Sequence, residues 1–188
     1  MTVKGDTDIY DNAHDFFSRL SKPLYALIDT ARDRRTFSLI EQSGCDYQIL
    51  YGKDLAATMD DRGPDLVSLH PGTPFLEKLI MAGWGNCWGI YLSGPADLQA
   101  VRHHLRRLLS VKLDDGRQVL FRFYDPRVLR NYLPACTDEE LAQFFGPIHA
   151  IYLESATGRE LLSCSYDRSP SPVQPQPTRL LQYTVKLT

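Results

Sequence analysis

The chain has 188 residues and a mass of 21.4 kDa, enough for one domain of ordinary size. With 43% hydrophobic and 11% aromatic residues it can supply a core without metals or staples, which disfavours collagen, coiled-coil, disordered and disulfide-rich classes. Its 21 Lys+Arg against 23 Asp+Glu give a formal charge of −2, so no global polyelectrolyte role is expected.

The N-terminal residues are polar and carry Lys4, Asp6 and Asp8, with no apolar run of signal-peptide type. The apolar stretches at Leu24–Ile28 and Cys87–Leu92 are too short to span a bilayer, so the expectation is a cytoplasmic protein without membrane insertion. Asn12–Leu20 reads as a short helix stopped by Lys22-Pro23, and Leu24–Ile28 as a buried strand ending at Asp29. Asp33–Gln42 predicts a helix closed by Gly44, followed by a strand at Tyr47–Tyr51, a helical turn at Leu55–Met59 and a turn at Asp61–Pro64. Leu66–Leu69 is the third strand. Thr73-Pro74 is a cap-plus-proline start for a helix that Gly83 ends.

Asn86–Leu92 is the fourth strand candidate, and Gly94-Pro95 signals a helix to about Leu109. Its apolar face is Leu98, Val101, Leu105, Leu108 and Leu109, with Gln99, Arg102, His103, Arg106 and Arg107 off that face. Asp114-Asp115-Gly116 predicts a hairpin between Val111–Leu113 and Val119–Phe123. Asp125-Pro126 opens another helix, and Thr137–Glu140 is a capping box with Cys136 and Leu141 as a staple. A second hairpin is expected from Ile148–Leu153 and Glu160–Tyr166. Four prolines between Ser169 and Thr178 mark an arm, and Leu180–Leu187 reads as an edge strand or loose tail. The pattern predicts an α/β fold: a mixed, partly parallel sheet with flanking helices and C-terminal antiparallel hairpins. The domain expectation is residues 1–168 as one unit, with 169–188 as arm and tail.

Few residues suggest chemistry. The glycines of Gly83–Gly89 follow a helix and precede a strand, the reverse of a phosphate cradle, and instead suit a tight turn packed by Trp84 and Trp88. Cys45, Cys87, Cys136 and Cys164 are too widely spaced for a zinc site and are expected to be reduced, mostly buried thiols. A Cys87 dyad with His103 or His104 is disfavoured, the histidines reading as solvated surface groups. Asp29 is the best lone acid/base candidate, though a structural aspartate is the plainer reading. No catalytic, cofactor or metal residue is assigned.

Charge pattern is more informative. Val101–Arg130 holds eight Arg/Lys and three Asp, a net +5 that leaves −7 elsewhere. Such a face suits phosphates or an acidic protein surface, or pairs internally. Nucleic acid is disfavoured by the pI of about 6.2 and the lack of a binding module.

The densest signature is Val119–Leu129, "VLFRFYDPRVL": a strand, a capping aspartate, a proline first turn and junction arginines. With Leu24–Asp29, Trp88–Ser93 and Phe144–Pro147 it resembles the family catalogued as domain of unknown function 4123, over about Leu24–Pro147. The resemblance implies an adaptor or chaperone of bacterial type VI secretion, which binds a toxic effector in the cytoplasm and promotes its loading onto the valine-glycine-repeat (VgrG) spike. It supplies no catalytic set. Under this reading Arg102, Arg106, Arg107, Arg122, Tyr124, Arg127 and Arg130 are expected to meet the partner. The competing expectations are an enzyme with a site near Asp29, Arg122 and Asp125, if these converge in one deep pocket, and a self-associating module.

Overall fold

The computed structural model describes residues 4–51, 63–70, 72–113, 115–169 and 180–187. The turn expected at Leu55–Met59, the start of the Asp61–Pro64 turn and nearly all of the proline-rich arm lie outside these residues. Seven strands form one sheet: β1 (Leu24–Asp29), β2 (Tyr47–Ile49), β3 (Pro64–Leu69), β4 (Gly89–Ser93), β7 (Ala150–Glu154), β8 (Glu160–Tyr166) and β9 (Leu180–Lys186). Their order is β2-β3-β1-β4-β7-β8-β9, and every neighbouring pair is antiparallel.

This corrects the expected mixed, partly parallel sheet. The strand–helix–strand unit from β3 through α3 (Pro74–Gly83) to β4 does run both strands the same way. They are not neighbours, because β1 lies between them, with Ala26 opposite Val67 on one side and Tyr91 on the other. The crossover is a split one, and the inserted strand makes each contact antiparallel. β9 is ordered against β8 of the same chain, with Leu162 opposite Thr184, so the tail is an edge strand.

Helices cover both faces of the sheet. Successive side chains of a strand point to opposite faces, so a strand buried on both reads as an unbroken apolar run, as all six residues of β1 do. Leu24, Ala26 and Ile28 pack with α1 (Lys4–Ser18), α2 (Arg34–Glu41) and α3. Tyr25 and Leu27 face the opposite layer, built by α4 (Leu98–Leu108), Phe123, Tyr124, α5 (Pro126–Tyr132) and α6 (Asp138–Phe145). α1 starts well before Asn12 because Ile9, Ala13 and Phe17, four apart, continue one buried stripe.

Caps set most helix starts. Asp33 caps α2, and Asp125 and Thr137 cap α5 and α6 as expected, the last within a complete capping box. α4 starts later than Gly94-Pro95: its cap is Asp97, whose carboxylate accepts from the Gln99 amide at 2.9 Å. The predicted hairpin forms a separate two-stranded sheet, β5 (Ser110–Lys112) and β6 (Gln118–Leu120), with Val111 opposite Val119.

Among the glycines near the tryptophans, Gly83 and Gly89 are required by close approach. A Cβ on Gly83 would meet the Trp88 ring, and one on Gly89 the Leu27 carbonyl oxygen. All four cysteines are free; Cys164 is buried, but the other three are only partly so. No helix among the described residues is long and apolar enough to cross a membrane.

Candidate functional site

β1 ends at Asp29, which alternation places on the same face as Tyr25 and Leu27. That face is covered by the segment linking β6 to α5, so the Asp29 carboxylate meets the Arg122 guanidinium and forms an ion pair with it. Asp125, two residues past the buried Phe123, caps α5 through the Arg127 amide at 3.0 Å and takes the Arg127 side chain in a fork, Nε and Nη2 donating at 3.0 and 2.6 Å. Arg32, in the turn after β1, stands 3.7 Å from the same carboxylate. The Tyr124 hydroxyl lies 3.0 Å from that of Tyr51, at the end of the β2 segment, and Arg122 sits 5.7 Å above the Tyr124 ring.

All of these groups except Asp125 line an open cleft of about 350 Å³, formed by Asp29, Ala31, Arg32, Tyr51, Leu120, Arg122, Tyr124 and Arg127. Burial alone would raise the Asp125 carboxyl, but the bonds from Arg127 and the charges of Arg127 and Arg32 outweigh it and hold it below the usual range. Burial pushes both tyrosine hydroxyls up, and the Tyr51 contact pushes Tyr124 further, so both stay protonated near neutral pH. The arrangement offers guanidinium and hydroxyl donors to a negative group, with both carboxylates already engaged by arginines. Asp29 and Arg122 therefore do converge, with Asp125 just behind Arg127, but in an open cleft rather than a deep pocket.

The basic stretch divides. Arg122, Tyr124 and Arg127 belong to the cleft, Tyr124 as a buried wall. Arg130 is turned elsewhere, donating to the Glu154 carbonyl at 2.8 Å. Arg102 is half-buried and donates from Nε to the Ile49 carbonyl at 2.9 Å, tying α4 to β2, which corrects its outward placement. Arg106 and Arg107 are exposed.

His104 is also corrected. It is 3% exposed, and its Nε2–H donates to the Phe144 carbonyl at 2.8 Å while Nδ1 faces Arg107 at 3.3 Å. Burial depresses its pKa and Arg107 adds to the effect; the Phe144 bond opposes them without prevailing. The turn at Gly146, φ +46, brings backbone against the ring where a Cβ would collide with it.

Cys87 pairs with neither histidine. It holds a left-handed backbone, φ +52, in a turn whose amides at Gly85 and Cys87 donate to Glu154 at 2.6 and 3.0 Å. Its thiol donates to the same carboxylate at 2.9 Å; burial, then that contact, push it up to about 11, the opposite of an activated thiolate. Glu154, Tyr51 and Arg32 were not singled out by sequence. Only Arg32, three residues after the strand-ending Asp29, left a signal that could have found it.

A family model described as "Domain of unknown function (DUF4123)" matches residues 24–143, well over half of the chain and all of the cleft. No curated protein and no solved structure matches the chain.

Proposed function

We propose that this chain, which belongs to the DUF4123 family, is a non-catalytic adaptor of bacterial type VI secretion. It binds a toxic effector in the cytoplasm and promotes its loading onto the VgrG spike. The observation that carries the reading is the family match: it runs from β1 into α6 and includes every described residue of the cleft. The chemistry of the cleft supports it, since arginines pre-set by buried acids suit recognition of a protein surface, where they contribute register and steering.

The reading is tested by co-expressing the chain with the effector and spike proteins encoded in its own genome. A stoichiometric complex on size exclusion, together with loss of effector secretion on deletion of the gene, is the expected result. Full secretion of every effector in the deletion strain would refute it.

A further inference from the structure

The charges around the cleft are layered. The Asp29 and Asp125 side chains are 4% and 6% exposed, whereas those of Arg32, Arg122 and Arg127 are 32%, 48% and 54% exposed. Buried acids form a backing layer, and guanidiniums form the surface that an arriving group meets. Each guanidinium carries five N–H donors in a planar fork. Arg122 commits one terminal nitrogen to Asp29, and Arg127 commits Nε and one terminal nitrogen to Asp125. Both arginines line the cleft with donors these bonds do not use.

We infer that the cleft receives one acidic side chain, a glutamate or aspartate of a partner protein, on the guanidiniums of Arg122 and Arg127. The partner's identity rests on the adaptor reading; the carboxylate chemistry rests on the cleft. Three guanidiniums against two carboxylates leave one net positive charge. A single carboxylate neutralises that, whereas a phosphate dianion would exceed it. The planar fork also matches a carboxylate in geometry.

The site is built in advance of its ligand. Asp29 and the Tyr124 ring fix Arg122, and Asp125 fixes Arg127, so little rotamer freedom is lost on binding. Leu120 and the tyrosine rings give the methylene stem of the acidic residue an apolar wall. The volume of about 350 Å³ admits a side chain with part of its backbone.

The test is fluorescence anisotropy of the full chain with a fluorescein-labelled, glutamate-rich peptide carrying an amidated C-terminus, against the same peptide with glutamine for glutamate. The glutamate peptide should bind and its glutamine counterpart should not. Arg127→Gln should weaken binding roughly tenfold or more, while Arg106→Gln, outside the cleft, should leave it within about twofold. Because Arg122→Gln strands a buried Asp29 and can unfold the chain, its arm uses the Asp29→Asn/Arg122→Gln pair, which should also lose binding. In the unmodified protein, a nitrogen-detected titration with N-acetylglutamate should move the Nε–Hε signals of Arg122 and Arg127 first.

Equal loss in Arg106→Gln and Arg127→Gln, stationary Arg122 and Arg127 signals, or displacement of the peptide by inorganic phosphate but not by glutarate would each overturn the inference. An effector–spike complex indifferent to Arg127→Gln would overturn it while leaving the adaptor reading intact. Peptide binding without any such complex would remove the adaptor reading and leave the carboxylate site standing.

Discussion

Arg106 and Arg122 come from one basic stretch, yet their positions in the fold differ completely. Arg106 projects from α4 with no partner among the described residues, while Arg122 lies over Tyr124 and pairs with a buried acid. The difference is made by the carboxylate behind the arginine. An exposed guanidinium on a helix contributes little to stability and is screened within about 8–10 Å at ordinary salt. One held by a buried carboxylate is oriented, and its removal strands a charge in the interior. Basic character in a sequence therefore marks a site only where the fold brings an acid beneath it.

The sharpest way to break this comparison is Arg122→Ala. It should destabilise the protein by about 2–3 kcal/mol, less than the ~3–5 of a fully buried pair because half of the Arg122 side chain is exposed. Urea unfolding would measure it, and the Asp29→Asn/Arg122→Gln pair should restore part of the loss. A loss within a few tenths of a kcal/mol would make Arg122 equivalent to Arg106.

Asp65 provides the opposite case, a buried carboxyl with no arginine against it among the described residues. It is 3% exposed, and the Thr30 hydroxyl lies 2.7 Å from its Oδ2 and 2.5 Å from the Gly63 carbonyl. Thr30 has one proton to divide between these two acceptors, so the carboxyl receives only part of one hydrogen bond from it. Burial pushes Asp65 up to about 6, with the Thr30 bond opposing weakly. A carboxyl whose folded pKa is raised binds more protons folded than unfolded between about 4 and about 6. Stability from this group should fall as pH rises through that window and level off above it. Asp65→Asn should flatten that slope and gain on the order of 2 kcal/mol at pH 7. Melting curves across pH 4–8 that keep the wild-type slope would show that another group is responsible.

Asp125→Ala removes the α5 cap and the Arg127 anchor together and should cost about 0.5–2 kcal/mol. The Asp125 pKa is depressed, so the sign is reversed from Asp65: its contribution is complete above the ordinary aspartate value of about 3.9 and fades as pH falls through the lower folded value. Acid unfolding should therefore separate wild type from Asp125→Ala less and less below about pH 4. The smallest effect should be Arg106→Ala, within about 0.5 kcal/mol of wild type. A larger loss would mean that α4 carries an interaction absent from the described contacts.

Local chemistry was legible where a residue acts on its own backbone. Asp125 and the Thr137/Glu140 box announced their helices because a cap depends on spacing of two or three residues. Strand neighbours were not legible, since nothing in β3–α3–β4 records that β1 will lie between the two strands. His104 was misjudged because its partner, the Phe144 carbonyl, is supplied by another helix forty positions on. The arginines on the "RFYDPRVL" run were found by composition, but Asp29 reaches Arg122 from 93 residues away and Tyr51 reaches the Tyr124 hydroxyl from 73, both only through the fold.

The insertion of β1 between β3 and β4 also sets the order in which the chain can assemble. β1 is made early, yet both strands that cover its edges are made later, with Leu24 waiting for Leu69 on one side and Ser93 on the other. Closing such distant pairs loses chain entropy before any contact rewards it, so the central sheet should form slowly beside local hairpins such as β7–β8. During synthesis the run Leu24-Tyr25-Ala26-Leu27-Ile28 has neither neighbour to pair with, a short apolar strand of the kind that associates between chains. The strand that is most completely enclosed in the finished molecule is thus the one left longest without partners while the molecule is being made.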